Sequence, residues 1–145
     1  MRPQSNPRER VIEEFKNLYH TDPSFLVRAP GRVNLIGEHT DYNDGFVLPM
    51  ALSQSIWIAL SSQPNLEVEL HSLDFEESVN VSLEENYEKS RGWQEFLKGV
   101  LDILKQEGYS LSGWKGVAAG NVPIGAGLSS SAAFELAIAR AFTSV

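Results

Sequence analysis

Hydrophobic and polar residues recur with different periods along the chain, and each period predicts a different element. Between Pro7 and Tyr19, apolar residues return at helical spacing, which predicts a first helix over that range. Asn6 precedes it as the expected N-cap, and Pro7 suits the first helical position because no N–H is needed there. Residues 66–70 instead alternate strictly between apolar and polar side chains, which indicates a half-buried strand.

Short apolar runs predict several further strands. These runs lie at residues 25–27, 33–36, 46–48, 56–60, 79–81 and 114–119. The turn signals between some of them are Pro30-Gly31, Asn43-Asp44-Gly45 and Gln63-Pro64-Asn65. The Asp-Gly pair is typical of a hairpin turn, so we expect the strands on either side of it to pair.

Two more helices are predicted in the second half of the chain. Apolar residues from Trp93 to Leu104 keep helical spacing, and Gly108 closes that segment. Residues 132–142 are rich in alanine, the best helix former. Strands come first along the chain, and strands and helices alternate afterwards. The pattern therefore predicts an α+β fold, in which a mixed sheet is packed by helices.

Composition and charge narrow the class of protein. The length of 145 residues is typical of one domain and can bury a core, and 42% hydrophobic and 21% charged residues are ordinary for a globular protein. A net charge of −7 argues against a broad nucleic-acid surface but permits one phosphate site, which needs only local positive potential. The chain has no cysteine and no apolar run typical of a signal or a membrane span, so we expect a cytoplasmic protein.

A dense polar cluster surrounds the strand predicted at residues 33–36. Its members are Arg32, Glu38, His39, Thr40 and Asp41. Such groups form directional hydrogen bonds, which a neutral sugar needs because it offers no charge to bind. Each residue alone would more readily have a structural role, for example an ion pair between the arginine and a carboxylate. The density of the cluster predicts a site for a hydroxyl-rich ligand, whereas Tyr42 and Trp57 are expected in the core.

A glycine- and serine-rich loop stands between the strand predicted at residues 114–119 and the final helix. It consists of Gly125, Ala126, Gly127, Leu128, Ser129, Ser130 and Ser131. A helix start attracts phosphate through its free N–H groups, and glycine lets the backbone come close to the anion. The loop lacks the Gly-Lys-Ser/Thr ending of a Walker A motif and matches a dinucleotide fingerprint only in part. A plain helix cap remains the alternative to a phosphate site.

Two segments carry a family resemblance. Residues 31–42, Gly-Arg-Val-Asn-Leu-Ile-Gly-Glu-His-Thr-Asp-Tyr, closely resemble the galactokinase signature, and the resemblance continues through residues 43–52. Residues 123–132, Pro-Ile-Gly-Ala-Gly-Leu-Ser-Ser-Ser-Ala, resemble the nucleotide loop of the superfamily of galactose, homoserine, mevalonate and phosphomevalonate kinases. Two motifs in the family's order do not arise readily by chance.

The resemblance implies an ATP-dependent enzyme that phosphorylates the anomeric hydroxyl of D-galactose, with ATP and Mg²⁺ as its cofactors. It assigns the sugar to Glu38, His39, Thr40 and Asp41. By the same resemblance, residues 125–131 would wrap the ATP phosphates and Ser131 would also ligate Mg²⁺. Arg32 would lie near the attacking hydroxyl, where its fixed charge can stabilise the transferring phosphoryl group. The catalytic aspartate and the glutamate ligand of the family are expected beyond Val145.

The resemblance also implies a two-domain protein with the active site between its halves. Residues 1–145 would form the N-terminal substrate- and ATP-binding domain, similar in fold to domain 2 of ribosomal protein S5, truncated and without the C-terminal domain. We expect this chain alone to be inactive or nearly so. Its expected partners are D-galactose and ATP rather than nucleic acid or membrane, and a monomer is favoured.

Two other functions remain open at this point. One is a paralogue that binds galactose and ATP and regulates transcription without catalysis, although such relatives lose the serine-rich loop that is intact here. The other is a sister kinase for N-acetylgalactosamine, arabinose or mannose, since side chains elsewhere set the size of the sugar pocket.

Overall fold

The structure of the protein is a computed structural model that describes residues 6–40, 42–84 and 91–145. These ranges contain the helices α1 (Pro7–Tyr19), α2 (Gln94–Gln106) and α3 (Ser130–Phe142). They also contain the strands β1 (Phe25–Ile36), β2 (Leu48–Ser62), β3 (Glu67–Ser72), β4 (Glu77–Ser82) and β5 (Trp114–Gly120). Asp41 lies outside the described residues.

The strands form one mixed sheet in the order β1-β2-β5-β3-β4. The pairs β1–β2, β2–β5 and β3–β4 are antiparallel, and β3 pairs with β5 in parallel. A parallel pair needs a long crossover, and the chain segment that contains β4 and α2 provides it. The α+β prediction is confirmed.

The two faces of the sheet bury two hydrophobic clusters. Along β2, Ile58 and Leu60 belong to one cluster and Ala59 to the other, because side chains of a strand alternate between faces. The larger cluster packs against α2 and α3, and the smaller one packs against Val11 and Phe15 of α1. The sheet is therefore covered by α1 on one face and by α2 and α3 on the other.

Helix α1 has the bounds that its pattern predicted. The side chain of Asn6 accepts a hydrogen bond from the backbone N–H of Arg8 at 3.1 Å, and Pro7 occupies the first turn. At the other end, the Tyr19 hydroxyl donates to the Glu69 carboxylate at 3.0 Å. Burial and, after it, the Glu69 charge raise the pKa of Tyr19, so its hydroxyl remains a hydrogen-bond donor.

Strand β1 is continuous, so the prediction of two strands separated by Pro30-Gly31 was wrong. Its pairing with β2 shifts register between Pro30 and Arg32 instead of ending there. The strand lies at an edge of the sheet. A proline that cannot donate is tolerated on an edge strand, and a local irregularity absorbs the mismatch. The strands predicted at residues 46–48 and 56–60 are also not separate. Residues 56–60 belong to the long strand β2, which begins at Leu48, so Phe46 and Val47 lie outside it.

The other predicted elements are present with shifted ends. Residues 79–81 lie within β4 and residues 114–119 within β5, and α3 begins at Ser130 rather than at residue 132. Trp57 packs half-buried against the smaller cluster. The core prediction was wrong for Tyr42, whose side chain is 71% exposed. In the described part of the chain, none of the helices has the length and apolar character that crossing a membrane requires.

Candidate active site

The two sequence motifs meet at β1, although they are far apart along the chain. The backbone N–H of Arg32 donates to the carbonyl oxygen of Leu128 at 3.1 Å. Gly31 is buried at the same contact, where a Cβ would lie only 2.9 Å from that oxygen. A Cβ on Gly127 would in turn lie 3.6 Å from Oε1 of Glu38. The polar cluster and the glycine–serine loop are therefore neighbours.

The connection between β1 and β2 is a tight loop built on its own backbone hydrogen bonds. The Thr40 hydroxyl donates to the Gly37 carbonyl at 2.7 Å, and the Gly45 N–H donates to the Thr40 carbonyl at 2.9 Å. Gly37 has φ +94°, and a Cβ there would lie 2.3 Å from the Phe46 carbonyl oxygen. The predicted turn at Asn43-Asp44-Gly45 is thus one part of a wider loop rather than a two-residue hairpin.

This loop presents most of the polar cluster to solvent. Glu38 and His39 are exposed, and Nδ1 of His39 forms a hydrogen bond of 2.6 Å with the Tyr42 hydroxyl. The Thr40 hydroxyl forms hydrogen bonds with the backbone carbonyls of Gly37 and Phe46. Thr40 therefore helps to hold the conformation of the loop. The prediction for Asp41 falls on a residue that the structure does not describe.

Arg32 is exposed beside the glycine–serine loop. The structural alternative for this residue was an ion pair with a nearby carboxylate. Among the described residues, Arg32 and Glu38 form no such pair. Arg32 and Glu38 both belong to the polar cluster and both are exposed. The guanidinium and the carboxylate are therefore each accessible to a ligand.

The glycine–serine loop approaches α3 through residues with left-handed backbone conformation. Gly125 and Gly127 have φ +74° and +70°, and Ser129 has φ +59°. The Ser129 side chain makes no capping hydrogen bond, although its carbonyl accepts from the Ala133 N–H at 2.9 Å. The first N–H groups of a helix lack partners within the helix. This start is therefore not the plain serine cap that the sequence left open, and it can accept an anion.

An apolar pocket of about 200 Å³ lies directly beside this helix start. Ser130 and Ser131 form part of its lining. Four aromatic side chains, Phe75, Trp93, Phe96 and Phe134, form a large part of the remaining wall, and Asp74 also belongs to it. Its aromatic surface can accommodate a flat apolar ring, and the adjoining loop can receive phosphates attached to that ring.

The aromatic wall is held in a defined orientation. The Trp93 indole N–H donates to Oε2 of Glu77 at 2.9 Å. The Phe75 ring stacks on Trp93 with centroids 5.9 Å apart and planes 4° from parallel. Phe134 also contacts Trp93, edge-on, with centroids 6.0 Å apart. Hydrogen bonding and ring packing together fix Trp93 at the pocket.

Sequence reasoning missed this pocket. Trp93 and Phe96 were interpreted only as apolar positions of a helix, and no function was assigned to residues 67–112. No local signal could have identified them, because the wall combines side chains from the turn after β3, from α2 and from α3. They become neighbours only when α2 and α3 pack on the same face of the sheet.

The serine at the start of α3 is suited to help hold a magnesium ion. Within the described ranges, no group of three histidine, aspartate or glutamate residues could hold a metal. Mg²⁺ prefers oxygen ligands and commonly takes several of them from substrate phosphates and water. Ser131, in the first turn of α3 and in the lining of the pocket, offers a hydroxyl oxygen that could take one such position.

Comparisons with known proteins define first the class and then the family. The family model of the GHMP kinases N terminal domain matches residues 95–145. The crystal structure of Methanococcus jannaschii mevalonate kinase shares the fold, with a TM-score of 0.64, 24% identity and coverage of 83% of this chain and 39% of that one. The chain thus has the N-terminal fold of the GHMP kinases.

The particular family follows from the first motif and from more similar relatives. The galactokinase galactose-binding signature matches residues 13–62. The structure of Lactococcus lactis galactokinase complexed with galactose matches with a TM-score of 0.78 and 32% identity, over 88% of this chain and 34% of that one. The chain belongs to the galactokinase family.

Curated relatives agree with this family. The galactokinase of Thermococcus kodakarensis is 51% identical over 112 residues, which are 77% of this chain and 31% of that protein. The galactokinase of Roseiflexus sp. is 43% identical over 130 residues, which are 90% of this chain and 33% of that protein. The chain therefore spans about a third of the length of these relatives.

Proposed function

We propose that the whole protein is an ATP-dependent galactokinase, which transfers the γ-phosphate of ATP to the anomeric hydroxyl of D-galactose. The observation that carries the proposal is the contact of Gly31 and Arg32 with Leu128, because it sets the polar cluster beside the glycine–serine loop. The match to a galactokinase complexed with galactose supports the choice of sugar. Residues 1–145 would be the N-terminal domain of this enzyme.

In this proposal, the nucleotide lies along α3 and the sugar lies against the β1–β2 loop. The base occupies the aromatic pocket around Trp93, and its phosphates follow residues 125–131 to the start of α3. Glu38 and His39 bind sugar hydroxyls, with Thr40 shaping their loop and Asp41 assigned by resemblance. Arg32 stabilises the charge that develops on the transferring phosphoryl group through its planar guanidinium, which can bind phosphate oxygens in a bidentate manner.

Mg²⁺ completes the proposed nucleotide site. A bound magnesium ion neutralises phosphate charge during transfer. Ser131 would hold it together with oxygens of the nucleotide, and a carboxylate ligand would come from outside the described residues. The hydroxyl of galactose needs a base as well, which the resemblance expects beyond Val145.

The test is product analysis with the full-length product of the gene that encodes this chain. With ATP, Mg²⁺ and D-galactose, we expect equal amounts of ADP and galactose 1-phosphate, measured by a coupled assay and by phosphorus NMR. Binding of both ligands without turnover would indicate a regulatory paralogue. Turnover only with N-acetylgalactosamine, arabinose or mannose would indicate a sister kinase.

Replacing Trp93 with alanine should weaken nucleotide binding more than galactose binding, and it should also lower stability because the ring belongs to the hydrophobic core. Loss of one ring beneath a base raises the KM for ATP by about tenfold, the size of a stacking contribution of ~1–3 kcal/mol. The KM for galactose should stay within twofold, and Trp93→Phe should keep most of the affinity because it preserves a ring. Initial rates at varied ATP and saturating galactose measure the effect. Parallel rises in both KM values would instead indicate general loss of structure.

A further inference from the structure

Helix α1 packs on the face of the sheet opposite α3, yet one of its side chains reaches the wall of the aromatic pocket. Nη2 of Arg10 lies 3.1 Å from Oδ1 of Asp74. The two residues are 64 positions apart, and each side chain is about one-third exposed, at 31% and 32%. Asp74 is itself part of the lining of the pocket beside α3. This ion pair therefore joins the two faces of the sheet at the candidate nucleotide site.

Asp74 also holds the strand that leads into the glycine–serine loop. Its Oδ2 atom accepts a hydrogen bond of 2.7 Å from the backbone N–H of Gly120, the last residue of β5. The neighbouring Leu73 N–H donates to the Ala118 carbonyl at 2.9 Å. One oxygen of the Asp74 carboxylate thus pairs with Arg10 of α1, and the other accepts a hydrogen bond from the end of β5.

The residue after Asp74 belongs to the aromatic wall. Residues 73–76 connect β3 to β4, and Phe75 in this turn stacks on Trp93. Asp74 is the chain neighbour of Phe75 and is hydrogen-bonded to the Gly120 N–H. One residue therefore links the aromatic wall to the end of β5, the strand that precedes the glycine–serine loop.

We propose that Arg10 is a positioning residue for the nucleotide site, an inference that rests on the proposed ATP-dependent function. Arg10 does not line the aromatic pocket among the described residues. It acts by holding Asp74, and through it the turn at residues 73–76, in the conformation that receives the base. The guanidinium is suited to this role because it keeps its charge and fixes the direction of its hydrogen bonds.

The ordinary alternative is an ion pair that only adds stability. Exposed pairs contribute little, and the pair between Lys16 of the same helix and Asp22 beyond its end, with side chains 51% and 80% exposed, is an example. The Arg10–Asp74 pair differs because its aspartate also bonds the Gly120 backbone and lines a pocket. If the pair only adds stability, its loss should change the melting temperature and the KM values of both substrates alike. If it positions the nucleotide site, its loss should change the KM for ATP alone.

The experiment compares Arg10→Gln, Arg10→Lys and the control Arg8→Gln in the full-length gene product. Arg8 is an exposed arginine in the first turn of the same helix. For Arg10→Gln we expect the KM for ATP to rise about two- to fivefold, with kcat, the KM for galactose and the melting temperature close to wild type. Arg10→Lys should restore most of the ATP affinity, and Arg8→Gln should change nothing.

A double-mutant cycle supplies the decisive comparison. If Arg10 acts through Asp74, Arg10→Gln should have no further effect on the KM for ATP in an Asp74→Asn background. Additive effects of the two changes would overturn the proposal, and so would an unchanged KM for ATP in Arg10→Gln. The dissociation constant for ADP, measured by calorimetry, separates this inference from the proposed function. If the wild type binds ADP but does not phosphorylate galactose, the galactokinase proposal fails while the ADP affinities still test Arg10.

Discussion

Replacement of Arg32 with alanine in the full-length gene product should lower kcat by about 10²- to 10³-fold, the usual loss when one group that stabilises transition-state charge is removed. The backbone N–H of Arg32 donates a hydrogen bond to the Leu128 carbonyl. This contact places Arg32 between the glycine–serine loop and the polar cluster. Its side chain is exposed and forms no ion pair with Glu38. The change should therefore affect catalysis much more than folding.

Steady-state rates at saturating ATP and galactose measure this effect. Arg32→Lys should recover part of the loss, because it restores a positive charge without the planar guanidinium. Arg140→Ala is a matched control, since Arg140 is an exposed arginine near the end of α3, away from the glycine–serine loop. An unchanged kcat in Arg32→Ala would remove this residue from the catalytic machinery. A fall in melting temperature that accounts for the loss would assign it a structural role.

Replacement of Gly31 with alanine should disrupt the junction between the two motifs. A Cβ at this position would lie 2.9 Å from the Leu128 carbonyl oxygen and 3.0 Å from Cγ1 of Val122. Both neighbours belong to the segment between β5 and α3, so that segment must move away from β1. We expect a loss of about 1–3 kcal/mol of folding free energy, as for other overpacked sites. Because the glycine–serine loop, which we propose binds the ATP phosphates, moves as well, kcat/KM for ATP should fall by about tenfold or more.

A glycine in open space provides the control for this change. Gly99 lies in α2, and a Cβ built there meets nothing within 4 Å. Gly99→Ala should therefore stabilise the protein by about 0.5–1 kcal/mol, because alanine favours the helix, and should leave the kinetics unchanged. Thermal or denaturant unfolding and ATP kinetics test both variants. If Gly31→Ala retained full stability and activity, the close approach of Gly31 to Leu128 would not be needed for function.

Local pattern was sufficient for most secondary structure. The Asn6-Pro7 start and the helical spacing of apolar residues give the observed bounds of α1, and strict alternation identifies β3. Local pattern failed where pairing between strands overrode it. Pro30 indicated a strand end, but β1 continues because an edge strand tolerates the missing donor. Tyr42 was expected in the core, and only the path of the β1–β2 loop exposes it.

Some parts of the candidate site could likewise be predicted from local sequence, and others could not. The polar cluster and the glycine–serine loop were found from the sequence because each is a contiguous run of unusual residue types. The aromatic pocket was not found, since its wall is assembled from the turn at residues 73–76 and from α2 and α3. The link from Arg10 to Asp74 also joins residues 64 positions apart and leaves no local pattern.

By itself, the sequence of this protein determined the class of fold, the family and the two segments that we propose bind sugar and phosphate. Such properties depend on short-range periodicity and on runs of adjacent residues. Only the tertiary structure decided that Glu38 lies beside Gly127, that Trp93 lies beside the start of α3, and that α1 contacts Asp74 in the lining of the pocket. Those contacts arise from strand register and from the packing of helices on both faces of the sheet, which no local segment of the chain specifies.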